Sequence, residues 1–231
     1  MELRLPKEKL FAINHILTIF MHSKKIALRQ LQSLIGLLNF ACQVVTPGRA
    51  FCRRLIDATC SIKKPRHKIR VSQTMREDIK VWQSLLSQYN GITVMLDNLW
   101  TSNDTIELFT DSAGGRNKGF DIYFQGKWAQ SYWPKHWVEN WTLKDIKFLE
   151  LFPVVVSIFI WGSNLRNKKL VFRVDNESVV VIINKKSSRS ILVRVLVLST
   201  LKYNIMIKAE YIPGKINKIA DSLSLSDWQL F

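Results

Sequence analysis

Four carboxylates stand where elements of structure begin, end or are interrupted, and acids grouped in that way can assemble ions for chemistry. Asp111 ends the apolar run Leu108-Phe109-Thr110-Asp111, just before Ser112, and Asp175 ends Val171-Phe172-Arg173-Val174-Asp175. Glu150 interrupts an apolar stretch, with Phe148 and Leu149 before it and Leu151 and Phe152 after. Asp221 ends Asn217-Lys218-Ile219-Ala220-Asp221. Any one of them alone reads as a helix cap or a surface charge. Four so placed in a chain with 34 Lys and Arg against 18 Asp and Glu form a pattern which that reading does not explain. Clustered carboxylates repel unless a cation neutralises them, so the expected cofactors are hard divalent ions with oxygen ligands, Mg²⁺ or Mn²⁺. Two such ions about 3.5 to 4 Å apart activate a water and stabilise a leaving 3′ oxygen in phosphodiester hydrolysis.

The elements that must position these acids fall into two groups. Residues 5 to about 90 read as helices with no strand pattern among them, because apolar residues recur three and four apart in Leu10, Ile13, Leu17 and Phe20 and in Leu31, Leu34, Leu38 and Ala41. Pro47 and Gly48 are expected to break the second helix, a third is expected over residues 50–58, and Ser72 is placed to cap a fourth through Val81, Trp82 and Leu85. From residue 105 the pattern changes to short strands over 106–110, Gly119–Phe124 and Lys127–Tyr132, a meander. Thr142, with Asp145 three residues on, opens a helix running toward Trp161, kinked or broken at Pro153. A strand over Lys169–Val174, helices over 178–184 and 191–203, a strand over 205–212 and a last helix from near Asn217 complete the order. The expected fold is α/β, a mixed sheet flanked by helices over 104–231, preceded by a helical segment over 1–95. If the strands ending in Asp111 and Asp175 pair in parallel, both carboxylates leave the sheet at the same edge.

A chain of 231 residues, 47% hydrophobic, can build one large domain or two modest ones. Its formal charge of +16 favours a polyanionic partner, nucleic acid first and an anionic membrane surface second. The longest uncharged apolar run, residues 151–162, is too short to span a bilayer, and no signal-peptide pattern follows Met1. A soluble, intracellular protein is expected, cytoplasm and nucleus being undistinguished. Cys42, Cys52 and Cys60 lack metal-ligand spacing and are expected to be reduced packing residues.

The basic residues Lys63, Lys64, Arg66 and Lys68 form either a solvated hinge or, with Arg49, Arg53 and Arg54, a phosphate-contacting surface. Asn176 either hydrogen-bonds a substrate or caps the next helix. Trp128, Trp133, Trp137 and Trp141 gather near His136, where packing is favoured over stacking on bases. Gly114, Gly115 and Gly119 either approach a sugar-phosphate chain or serve turns. Arg173 and Lys208, alternating with apolar neighbours, are expected to face solvent, and His15, His22 and His67 to be surface residues.

The segments Thr110-Asp111-Ser112-Ala113-Gly114, Leu149-Glu150-Leu151, Val174-Asp175-Asn176 and Pro213-Gly214-Lys215-Ile216-Asn217-Lys218-Ile219-Ala220-Asp221-Ser222-Leu223-Ser224 resemble the ribonuclease H domains of retroelement reverse transcriptases. The likeness is strongest to DIRS-type retrotransposons, which encode a tyrosine recombinase. It extends upstream, where the run from Leu31 through Gly36 to Phe40 and the motif Pro47-Gly48-Arg49-Ala50-Phe51 resemble the thumb or connection helices that precede ribonuclease H there. The resemblance implies a metal-dependent enzyme that hydrolyses the RNA strand of RNA·DNA hybrids, with Asp111, Glu150, Asp175 and Asp221 as metal ligands and Glu150 also positioning the attacking water. Nucleic-acid contacts are expected from the basic residues named above, from Asn176 and from Lys215, and the resemblance implies the polymerase portion of a reverse transcriptase as a partner. Many cellular relatives carry a histidine in the loop before the last acid. Here that loop reads Tyr211-Ile212-Pro213-Gly214-Lys215-Ile216, so slower proton transfer or product release is expected. No Tyr-x-Asp-Asp motif is present, so DNA synthesis is not expected of this chain alone.

A transposase or integrase of the same fold class would need Glu210 as third acid, but Met206-Ile207-Lys208-Ala209-Glu210-Tyr211 reads as a strand where that chemistry wants a helix. The remaining alternative is a non-catalytic nucleic-acid-binding module from a decayed or domesticated retroelement.

Overall fold

Ile13, Leu17 and Phe20 fall on one face of the first helix, α1 (Lys7–His22), and all three are buried. The computed structural model describes residues 4–60, 62, 64–89, 99–102, 105–115, 118–139 and 142–213. The chain divides into two compact units, residues 1–94 with 186–189 and residues 95–185 with 190–231.

In the first unit α1 packs with α2 (Leu28–Ala41) and α4 (Gln73–Tyr89), and the short α3 (Arg53–Asp57) packs on α2 and α4. Leu31, Leu34, Leu38, Leu55, Ile79 and Trp82 complete the core. Ser72 caps α4, its hydroxyl accepting from the Met75 amide at 3.2 Å.

Two sequence expectations need correction here. The all-helical reading missed an antiparallel pair, β1 (Lys25–Ala27) with β2 (Lys68–Arg70), in which Ile26 lies opposite Ile69 and both are buried. Strands of three residues are too short for alternation to register, and β2 takes up the end of the basic stretch read as a hinge. Its neighbouring loop also serves α2, whose first amides at Leu28 and Arg29 donate to the carbonyls of His67 and Pro65. The second correction concerns Pro47. Helix α2 already ends at Ala41, and Pro47 opens a separate 3₁₀ helix, Thr46–Phe51, where its missing amide hydrogen leaves no bond unmade.

The second unit is mixed α/β and holds two three-stranded sheets. In one, β4 (Leu108–Ser112), β5 (Gly119–Phe124) and β6 (Lys127–Tyr132) form the expected antiparallel meander. Gln125 and Gly126 join β5 to β6 with positive φ at both positions, as a two-residue type I′ hairpin requires. The other sheet is parallel, with β7 (Lys169–Val174) between β3 (Thr101–Ser102) and β8 (Met206–Tyr211). Thus the strand bearing Asp111 is not the ladder partner of the strand before Asp175, and the short β3 pairs with β7 instead. Strand β4 also starts two residues later than expected, because Glu107 has a φ of 52° and interrupts the extended run.

Helix α6 (Ile146–Trp161) packs on both β4 and β5 and on the helices α7 (Glu177–Lys185) and α8 (Ile191–Lys202). Its cap is Asp145, whose carboxylate accepts from the Phe148 amide at 3.2 Å, and not the expected Thr142. Thr142–Lys144 instead make a turn of 3₁₀ helix preceded by α5 (Lys135–Glu139). Pro153 removes one amide donor to Leu149 without ending α6, since Pro153 and the residues around it, Leu149, Leu151, Val154 and Val155, are buried together. The last expected helix, including Asp221, lies outside the described residues. Among the described residues no helix is long and apolar enough to cross a membrane.

Candidate active site

Three of the four sequence-selected acids come to one cleft. Asp111 near the end of β4, Glu150 on α6 and Asp175 just past β7 line it together with Thr110, Ser112, Val154, Arg173 and Val174. The two sheets need not be one ladder for this to happen, because α6 packs on β4 and β5 of the meander and on α7, the helix that follows Asp175, and so brings Glu150 to the cleft. Asp221 lies outside the described residues.

Glu150 sits at the centre of the electrostatics. Its Oε1 accepts a hydrogen bond from the Asn176 amide at 3.1 Å, whereas Oε2 is buried with no partner. Burial pushes the Glu150 carboxyl up to about 7, the Asn176 hydrogen bond opposes that rise, and the negative charges of Asp175 and Asp111 add to it. A carboxyl whose folded value exceeds its ordinary 4.5 keeps its proton where the unfolded chain has lost it. The native state then binds more protons between about 4.5 and 7, so stability falls as pH rises through that window. In the presence of a chelator, Glu150→Gln is expected to flatten this part of the melting-temperature profile and to melt higher than wild type at pH 8. Parallel profiles for the two proteins would remove Glu150 as the source.

The register of the meander adds an acid that the sequence reading did not select. Asp121 on β5 lies directly opposite Asp111, and paired residues share a face of a sheet, as Phe109 and Tyr123 beside them do with ring centroids 6.2 Å apart. Burial raises the Asp121 carboxyl as well. Its signal was available only once the pairing of two strands was known. Arg173, expected to face solvent, is exposed and also lines the acid cleft, bringing a positive charge to it.

Around the site the tryptophans pack. Trp133 is 6% exposed, stacks on Trp137 at 5.5 Å and meets Phe120 and Phe152 at 5.4 and 5.6 Å. Phe152 and Phe148, which flank Glu150 in sequence, both touch Trp137 at 5.3 Å. Trp128 is exposed, and Trp141 lies outside the described residues.

The basic residues are less uniform than their sequence clustering. Arg49, Lys64, Arg66 and Lys68 are exposed. Arg53 pairs with Asp57 at 3.1 Å. Arg54 donates to the Thr74 carbonyl and pairs with Glu77 and Asp78 at 3.4 and 3.6 Å, so its charge is engaged by α4. Arg66, with Arg29, edges a cavity of about 490 Å³ in the first unit that has Ile16, Ile19 and Phe20 as its apolar wall. Lys63 and Lys215 lie outside the described residues. Asn176 caps α7 and binds Glu150, and Glu210 pairs with Lys208 at 2.8 Å on β8. Of the cysteines, Cys52 is buried and Cys42 partly so, while Cys60 is exposed, which packing does not describe.

The donor set of the cleft is carboxylate oxygen, the chemistry that suits Mg²⁺ or Mn²⁺. An unpartnered buried oxygen beside two more acids is a place where a cation would relieve both desolvation and repulsion, so the residues fit such an ion. Among the described residues, however, no three His, Cys, Asp or Glu side chains stand as a ready-made cage. Neither a protein-family model nor a curated protein matches the chain.

Proposed function

We propose that the second unit is a ribonuclease H-like domain that hydrolyses the RNA strand of an RNA·DNA hybrid, as one part of retroelement reverse transcription. The observation that carries this reading is the meeting of Asp111, Glu150 and Asp175, from three separate elements, in one cleft with Glu150 Oε2 left free. The order of meander, helix, parallel strand, two helices and strand agrees with it, as do the motif resemblances that surround each acid. Asp111, Glu150 and Asp175 would hold the divalent ions, with Asp221 completing the set by sequence. Bound Mg²⁺ or Mn²⁺ would supply Lewis acidity at the scissile phosphate.

The chain's own groups have separable tasks in this proposal. Glu150 Oε2, buried and unpartnered in the cleft, orients the attacking water. Arg173 in the cleft offers a guanidinium to a phosphate oxygen. The exposed Arg49, Lys64, Arg66 and Lys68 of the first unit, the thumb- or connection-like segment, contact the backbone and give salt-sensitive affinity without base specificity.

The test uses the purified full chain with labelled RNA·DNA hybrid, duplex DNA and duplex RNA, each with and without Mg²⁺. Cleavage confined to the RNA of the hybrid and dependent on Mg²⁺ is expected. Salt-sensitive binding of all three without cleavage of any would replace this reading with the non-catalytic module.

A further inference from the structure

The side chain of Asn176 makes three hydrogen bonds in two directions. Its Oδ1 accepts from the amides of Ser178 at 2.9 Å and Val179 at 3.3 Å, capping α7. Its Nδ2 donates to Glu150 Oε1 at 3.1 Å, across to α6. Backbone N–H groups can be met only by the carbonyl end of a side-chain amide, because the NH₂ end has no acceptor to offer. The helix cap therefore settles which way the amide is turned, and turning it so aims the NH₂ at Glu150. One carboxylate oxygen is held by that contact, and the other, buried without a partner, is left for whatever enters the cleft.

We propose that Asn176 is a positioning residue that uses the cap of α7 to fix the Glu150 carboxylate beside Asp111 and Asp175, an inference that rests on the hydrolase reading above. The sequence leaves Asn176 open between a substrate contact and a helix cap, and neither reading includes its bond to an acid on another helix. Because Asn176 adjoins Asp175, the same turn sets two of the acids at once. Outer partners that orient a ligating carboxylate influence both ion affinity and turnover.

The variant that separates the two halves of the role is Asn176→Ser. Serine remains a good N-cap but is too short to reach Glu150, and Asn176→Thr repeats the test with a second capping side chain. Both keep a side-chain cap on α7, so both are expected to stay folded, with a melting temperature lowered only by the lost bond to Glu150. Calorimetric titration of the full chain with Mn²⁺ alone, without nucleic acid, should show affinity lowered about 10-fold, and kcat on hybrid should fall about 10-fold with KM unchanged. Wild-type Mn²⁺ affinity and kcat in both variants would leave Asn176 a helix cap and overturn the proposal. A raised KM at unchanged kcat would make it a substrate contact and overturn it equally. If the wild-type chain cleaves no hybrid while both variants still weaken Mn²⁺ binding, the hydrolase reading fails and the positioning role stands.

Discussion

Asp111→Asn is expected to reduce hydrolysis of RNA in a hybrid by roughly a thousandfold or more while leaving hybrid affinity nearly intact. The substitution keeps the shape of the side chain and removes one charge from a cleft whose proposed work is to hold divalent ions. Losing a ligand of that kind forfeits several kcal/mol of transition-state stabilisation, and about 1.4 kcal/mol corresponds to each tenfold in rate. Binding should persist, because it is attributed to exposed basic residues of the first unit, and its salt dependence should match wild type. A second readout checks that the site has been altered and not unfolded. Asp111 is one of the charges that raise the Glu150 carboxyl, so the midpoint of Glu150 should move down in the variant when no divalent ion is present. Retained cleavage would refute the assignment of Asp111. Loss of affinity and cleavage together would place the defect in the fold.

Trp133→Ala is expected to destabilise the second unit by about 3 to 5 kcal/mol, the range for truncating a buried indole. The ring is nearly inaccessible, lies among Phe120, Trp137 and Phe152, and donates from Nε1 to the Ala113 carbonyl at 2.7 Å. That carbonyl lies two residues beyond Asp111, so the bond also ties the end of β4 to the residue following β6. Urea unfolding should show a lower midpoint with little change in slope, as expected when stability alone is changed. Trp133→Phe keeps most of the ring contact and loses the donor, so its cost should be nearer 1 to 2 kcal/mol. Trp128, 57% exposed and opposite Tyr123 on β5, provides the contrast, with Trp128→Ala expected to cost at most about 1 kcal/mol. Equal costs at positions 133 and 128 would show that the aromatic cluster does not hold the unit together.

The two expectations differ in how far each could be read from residues alone. The packing role of Trp133 follows from the tendency of indoles to fill small cores, but its bond to Ala113 depends on the end of β6 returning past the end of β4. The bounds of β5, β6 and β7 coincide with those expected from alternation, continuous apolar runs and turn residues; β5 alternates in burial, β7 is buried at three successive residues, and the largely exposed β6 is bounded by its turns. Helix α6 was expected one turn too early, because Thr142 and Asp145 both have capping side chains and only the three-dimensional turn separates a 3₁₀ start from an α start. The strands β1 and β2 left no usable pattern, for three residues supply barely one alternation.

Local chemistry by itself determined which carboxylates deserved notice: residue type, an apolar setting and position beside a turn are properties of short segments. It also determined the basic balance of the chain and the helix and strand periods that carry each acid. Tertiary structure alone decided that β3, and not β4, pairs with β7, and that α6 nevertheless carries Glu150 to the same cleft as Asp111 and Asp175. It also decided that Asp121 faces Asp111 across a ladder, that Arg54 is occupied by Glu77 and Asp78, and that Asn176 grips Glu150. Those are contacts between residues far apart in sequence. The period of one segment fixes which of its faces is buried, but not which other segment covers it.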